Sequence, residues 1–152
     1  MTQQILIALV GIVGSAVAAY FGFWLGLRRF RHEHMWEEKL RIYTALFDAL
    51  NDLCEENDQL WKAEVSGRQL PKARQDALSE AALKAWPEVS KQARIGAFIF
   101  SDKAAAALAT LMKEVEKAGS EDSYFEHIDK TGGALNRAVT VLRKAARADL
   151  GT

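Results

Sequence analysis

Residues 5–27, ILIALVGIVGSAVAAYFGFWLGL, form a run of 23 residues without one charged side chain. As a helix rising about 1.5 Å per residue, the run spans about 34 Å, enough to cross a hydrocarbon core of about 30 Å. In lipid only a helix serves, because each backbone amide must find its partner within the segment. A helix buried in a globular core rarely needs so long an uninterrupted run. Ala16-Val17-Ala18 resembles a cleavage tripeptide, but a signal peptide carries its basic residues before the apolar stretch, and here they follow it. The run therefore reads as a transmembrane helix at 5–27, leaving 28–152 as a separate helical unit.

Orientation follows from the charges that flank the run. Arg28, Arg29 and Arg31 stand directly after it, with Lys39 and Arg41 close behind, whereas MTQQ before it has neither Lys nor Arg. The positive-inside rule places the following residues in the cytoplasm and the N-terminus outside, the topology of a single-pass protein of a bacterial inner membrane. Tyr20 and Trp24 sit toward that same end, where amphipathic aromatics favour the headgroup level. Arg28, Arg29 and Arg31 serve first as a topology signal. They could also bind anionic headgroups, at about 1 kcal/mol per basic residue.

Small residues recur along the run at a helical spacing. Gly14, Ala18, Gly22 and Gly26 follow every fourth position, and Gly11, Ser15 and Ala19 make a second row beside them. Such rows let two helix backbones approach closely, and close packing drives association where lipid removes the hydrophobic incentive. The expectation is a homo-oligomer packed through Gly11, Gly14, Ser15, Ala18, Ala19, Gly22 and Gly26. With no charge in the run, a pore through it would be lined by small, weakly polar groups.

Helical periodicity resumes at once. Trp36, Leu40, Tyr43, Phe47, Leu50, Cys54 and Trp61 follow steps of three and four, with polar Asn57 filling one place in the series. Ile42, Leu46, Ala49, Leu53 and Leu60 form a neighbouring stripe, and no Gly or Pro interrupts residues 27–65. One long helix is expected to run from the membrane into a broad apolar seam. Gly67 and Pro71 mark a turn, and a second helix follows over 71–97 that Pro87 should kink or split after Trp86. Ser101-Asp102 offers the cap of a third helix ending near Gly119, with Ala104, Leu108, Leu111, Met112 and Val115 facing inward. Ser120 can cap a fourth, whose inward line is Ile128, Gly132, Leu135, Val139, Leu142, Ala146 and Leu150. The fold class is all-α: one N-terminal transmembrane helix continuing into a cytoplasmic antiparallel bundle of about four helices.

The ionisable residues narrow the chemistry. Lys+Arg and Asp+Glu both total 20, so no global basic excess points to nucleic acid and no direct binding to it is expected. Cys54 is the only cysteine; it lies on the apolar stripe, where it reads as a packing residue more readily than as a nucleophile. His32 and His34, two apart, point to different helix faces, unlike the four-residue spacing of a helical zinc site, and no metal is expected. Glu55, Glu56 and Asp58 read as a solvated face, and His127 has no triad arrangement around it. Arg29 and His34 match the Arg-to-His spacing of HEPN ribonucleases but abut the apolar run and lack the rest of that motif. Neither an enzyme nor a cofactor is expected.

Three stretches carry a resemblance: Trp36-Glu37-Glu38-Lys39-Leu40 with Tyr43, the segment Ile95-Gly96-Ala97-Phe98-Ile99-Phe100-Ser101-Asp102, and Ala146-Arg147-Ala148-Asp149-Leu150-Gly151. With the leading apolar run they resemble a group of small, single-pass, all-helical bacterial membrane proteins, some of which occur among anti-phage defence genes. The resemblance implies the fold, and no catalytic residue comes with it. The expected function is a membrane-anchored homo-oligomer that permeabilises the membrane as an effector of bacterial antiviral defence. The alternative is a non-enzymatic tether or assembly factor that recruits a cytoplasmic protein partner to the lipid bilayer.

Overall fold

A computed structural model describes the backbone of residues 2–95 and 98–151, and the side chains of Tyr20, Phe23 and, within those limits, residues 35 onward. Four helices account for it: α1 (Thr2–Ser66), α2 (Lys72–Ile95), α3 (Asp102–Ala118) and α4 (Tyr124–Leu150), with no strand among the described residues. The chain divides into two compact units, Met1–Glu38 and Lys39–Thr152. In the first, the described side chains Tyr20, Phe23 and Met35 are all exposed. Among the described residues no helix is long and apolar enough to cross a membrane. Apart from Tyr20 and Phe23, the side chains of the 5–27 run lie outside them, as does the pair Gly96-Ala97 of the second resembling stretch.

The second unit is a helical bundle. Its core draws Ile42, Leu46, Leu50 and Leu53 from α1, Ala82, Ala85 and Val89 from α2, Leu108 and Leu111 from α3, and Leu135 and Leu142 from α4. The sets repeat at steps of three, four or seven, so each helix turns one apolar stripe inward. Alanine supplies much of the rest: Ala104 on α3 and Ala134 and Ala138 on α4 are fully or almost fully buried, and side chains this small let α3 lie close along α4. Exposed ion pairs link the helices at the surface, Arg74 of α2 with Glu55 of α1, and Arg137 of α4 with Glu114 of α3 at 3.1 Å.

The α1 seam differs from the expected one. Trp36, Leu40 and Trp61 each keep over a third of their surface exposed, and Phe47 and Cys54 are only half-buried. The buried centre runs instead through Ile42, Tyr43, Leu46, Ala49, Leu50, Leu53 and Asn57. Both stripes read from the sequence belong to one face, and the bundle axis falls nearer the second. Trp61 uses the edge of that face differently, donating its indole N–H to Asp129 of α4 at 3.3 Å.

Helix ends follow local chemistry with two departures. Gly67 adopts φ +62°, a left-handed conformation that closes α1, with Arg68 N–H bonded to Ala63 O at 3.1 Å and Gly67 N–H to Glu64 O at 3.2 Å. Pro71 stands just before α2, its carbonyl accepting from Arg74 and Gln75. The first departure is at Pro87, which lies inside a continuous α2: of the expected kink or split, the split does not occur. Flanking Ala85 and Val89 are buried, and burial holds the helix together where proline removes one backbone donor. The second is the start of α4: Ser123, not Ser120, is the N-cap, its hydroxyl accepting from Glu126 N–H at 3.4 Å. Ser120 instead donates its hydroxyl back to Lys117 O at 2.7 Å, ending α3.

Candidate functional site

The small-residue rows Gly11, Gly14, Ser15, Ala18, Ala19, Gly22 and Gly26, and the basic trio Arg28, Arg29 and Arg31, all belong to the backbone of α1. Their side-chain arrangement lies outside the described residues. In the bundle, Cys54 is half-buried against the core, and burial, followed by the charge of Asp58, pushes its thiol upward. A raised thiol is the opposite of what an activated nucleophile needs.

Two constellations stand out. The first is a clasp built on Asp149, near the end of α4. The Tyr43 hydroxyl of α1 donates to Asp149 Oδ2 at 2.5 Å, and the Ser101 backbone N–H donates to the same oxygen at 3.1 Å. The Tyr43 ring also packs on Phe100 with centroids 4.8 Å apart. Ser101 holds the N-cap position of α3 without using its own side chain as a cap, and its backbone N–H, which lies outside the helix ladder, is satisfied by Asp149. Burial alone would raise the Asp149 carboxyl; the bonds from Tyr43 and Ser101, helped by the Lys39 charge, outweigh it and hold the group below its usual value. Burial first, then the hydrogen bond and charge of Asp149, push the Tyr43 phenol well above its own. Tyr43, Phe100 with Ser101, and Asp149 come one from each of the three resembling stretches, so these stretches meet in a single packed joint.

No family model, curated protein or solved structure matches the chain.

The second constellation is a cavity of about 240 Å³ to which all four helices contribute. Leu53, Glu56, Asn57 and Leu60 come from α1, Trp86 from α2, Val115 from α3, and Tyr124, His127, Ile128, Thr131 and Leu135 from α4. The wall is mostly apolar, but two of its most buried members are polar: Asn57 is 9 % and Thr131 8 % exposed. Thr131 Oγ1 has no hydrogen-bond partner. The Asn57 amide lies hard against the α4 backbone at Gly132, where a Cβ would stand 2.4 Å from Asn57 Nδ2. Only glycine leaves that space. His127 Nδ1 stands 2.9 Å from Ala118 O, an oxygen that can only accept, so Nδ1 carries a proton and donates it there. Glu56, half-buried at the wall, is pushed upward by burial.

Among the described residues no three His, Cys, Asp or Glu side chains group as a metal site would require. Sequence reasoning missed Asn57, Thr131 and Asp149 as members of a site. Asn57 did leave a trace, a polar residue occupying a place in an apolar series. Asp149 left none, because its partners are distant in the chain.

Proposed function

We propose that this chain is a single-pass inner-membrane protein whose anchor self-associates and whose bundle lies in the cytoplasm, acting as a membrane-permeabilising effector. The observation that carries the reading is the uncharged 5–27 run followed at once by Arg28, Arg29 and Arg31. Both features fall within one helix, α1, and Tyr20 and Phe23, the described side chains of the run, are exposed as lipid-facing groups are. The five-residue connections 67–71 and 119–123 favour antiparallel neighbours in the bundle. The role in antiviral defence rests on the resemblance of the three stretches joined at the clasp.

Gly22→Ile tests assembly. It keeps the run apolar, so insertion survives, but a side chain on the small-residue face separates packed backbones. Crosslinking in native membranes should give oligomers for the parent and for Leu9→Ile, and mostly monomer for Gly22→Ile, with dye entry on overexpression lost in parallel. Oligomers that persist in Gly22→Ile would remove the small-residue rows from the assembly.

The second reading is a tether that recruits a cytoplasmic protein. Exposed apolar side chains on the bundle favour it: Leu83 is 72 % and Phe98 92 % exposed. Overexpression without dye entry or toxicity, the oligomer intact, would select the tether over the effector.

A further inference from the structure

We propose that the α1–α4 face of the bundle docks on the same face of a second copy, each α1 lying on the other copy's α4. The docking rests on the proposed self-association of the anchor and fixes where the copies meet beyond it. The bundle leaves one apolar stripe uncovered. Leu40, Phe47, Cys54 and Trp61 stand seven residues apart on α1, so they keep to one side of the helix, drifting only about 20° per heptad. Leu40 and Trp61 are exposed, and Phe47 and Cys54 are half-buried. α4 runs antiparallel beside them: Tyr43 meets Asp149, Asn57 lies against Gly132, and Trp61 meets Asp129. Between the two helices lies a groove of about 590 Å³, with Phe47, Cys54 and Val139 half-buried along it. Val65 and Phe125, both exposed, stand one turn beyond Trp61 and Asp129 and extend the apolar line.

The charges on the two walls select the occupant. Residues 42–61 of α1 hold five acids and no Lys or Arg, and residues 130–148 of α4 hold five bases and no Asp or Glu. Asp48 and Arg143 line the groove from opposite walls, and among the described residues neither enters an ion pair. A partner of one sign would match one wall and be repelled by the other, whereas a second copy matches both. With a two-fold axis parallel to the helices, acidic α1 meets basic α4 twice over, Asp48 of each copy beside Arg143 of the other. An axis across the helices would set acid on acid and base on base, which like-charge repulsion opposes. The parallel axis also brings both Lys39 ends side by side, as two chains that start in one membrane require. From Leu40 to Val65 the face is about 37 Å long, and two helices make it about 20 Å wide. The resulting area, about 700 Å² per copy, falls just short of the ~800 Å² that each partner buries in a standard complex. Such a contact closes between copies that the anchor already holds at high local concentration, and opens when the anchor does not associate.

The test uses the single native cysteine of the full chain in its membranes. A parallel two-fold places the two Cys54 thiols at one level across the axis, so a short bis-maleimide should link them into a covalent dimer. Asp48→Arg and Arg143→Asp should each lower that yield by about tenfold, since each turns both attractive contacts into repulsive ones. Expressed together, the two variants should restore it, because each supplies the charge that the other lacks, and no contact within one chain could do so. A longer, lysine-reactive reagent should give oligomers in every case and so report the anchor alone. The proposal falls by itself if lysine cross-links form while the parent gives no Cys54-linked dimer, if either reversal leaves the yield unchanged, or if co-expression does not restore it. If the parent gives cross-links of neither kind, the self-association of the anchor falls with it. Cys54 linked to a different protein would overturn it too, giving the face to a recruited partner.

Discussion

Individual side chains differ widely in what they contribute. Leu50 is fully buried at the centre of the α1 seam, whereas Leu83 on α2 is 72 % exposed. Leu50→Ala should cost about 2–5 kcal/mol and Leu83→Ala no more than about 0.5 kcal/mol, read from denaturant or thermal unfolding in detergent. Half-buried Phe47 falls between them. Asp149 acts through charge as well as packing. Its carboxyl is held below its unfolded value, so the stabilisation is complete above that value, about 3.9, and is lost as pH falls through the lower folded value. Asp149→Asn should therefore be less stable than the parent at pH 6, by about 1–3 kcal/mol for bonds to a charged acceptor, and the gap should narrow below pH ~4. A gap that stays constant from pH 6 to pH 3 would show that the clasp works without the charge. Of these residues, Leu50 was legible from spacing alone. Asp149 was not, because what makes it matter is the arrival of Tyr43, 106 residues away, and of Ser101, 48 residues away.

At the scale of helices, the sequence speaks most clearly where chemistry is local. The inward stripes of α3 and α4 follow apolar periodicity, and Gly67 ends α1 through a conformation that a side chain resists. Gly67→Ala should cost about 1 kcal/mol, since a left-handed residue with a Cβ is strained even where nothing crowds it. Circular dichroism melts in detergent would register this, and unchanged stability would mean that the α1–α2 turn relaxes freely. The start of α4 shows where local reading slips. Ser120 and Ser123 are both good caps, but only Ser123 has Glu126 three residues on, the spacing of a capping box. Pro87 shows the opposite limit, a helix breaker overruled by the burial on either side of it. The cavity lay half in view, with Asn57 visible as a polar intruder and Thr131 hidden until α4 met α1.

For the molecule as a whole, the decisive asymmetry is three arginines within four residues after the apolar run and no basic residue before it. A reporter active only in the periplasm, fused after Gly151, should stay silent, and a strong signal would reverse the proposed orientation. The clasp has a consequence for how such a molecule is made. Tyr43 leaves the ribosome's catalytic centre 106 residues ahead of Asp149, which at 5–20 residues per second is a lag of about 5–20 s. Throughout that lag the α1 seam from Ile42 to Leu53 has been translated while the helix that covers it is unfinished. A nascent chain of this design is born sticky and becomes quiet only when its last helix docks, so translation stalled within α4 would leave a product open to aggregation or to holding chaperones.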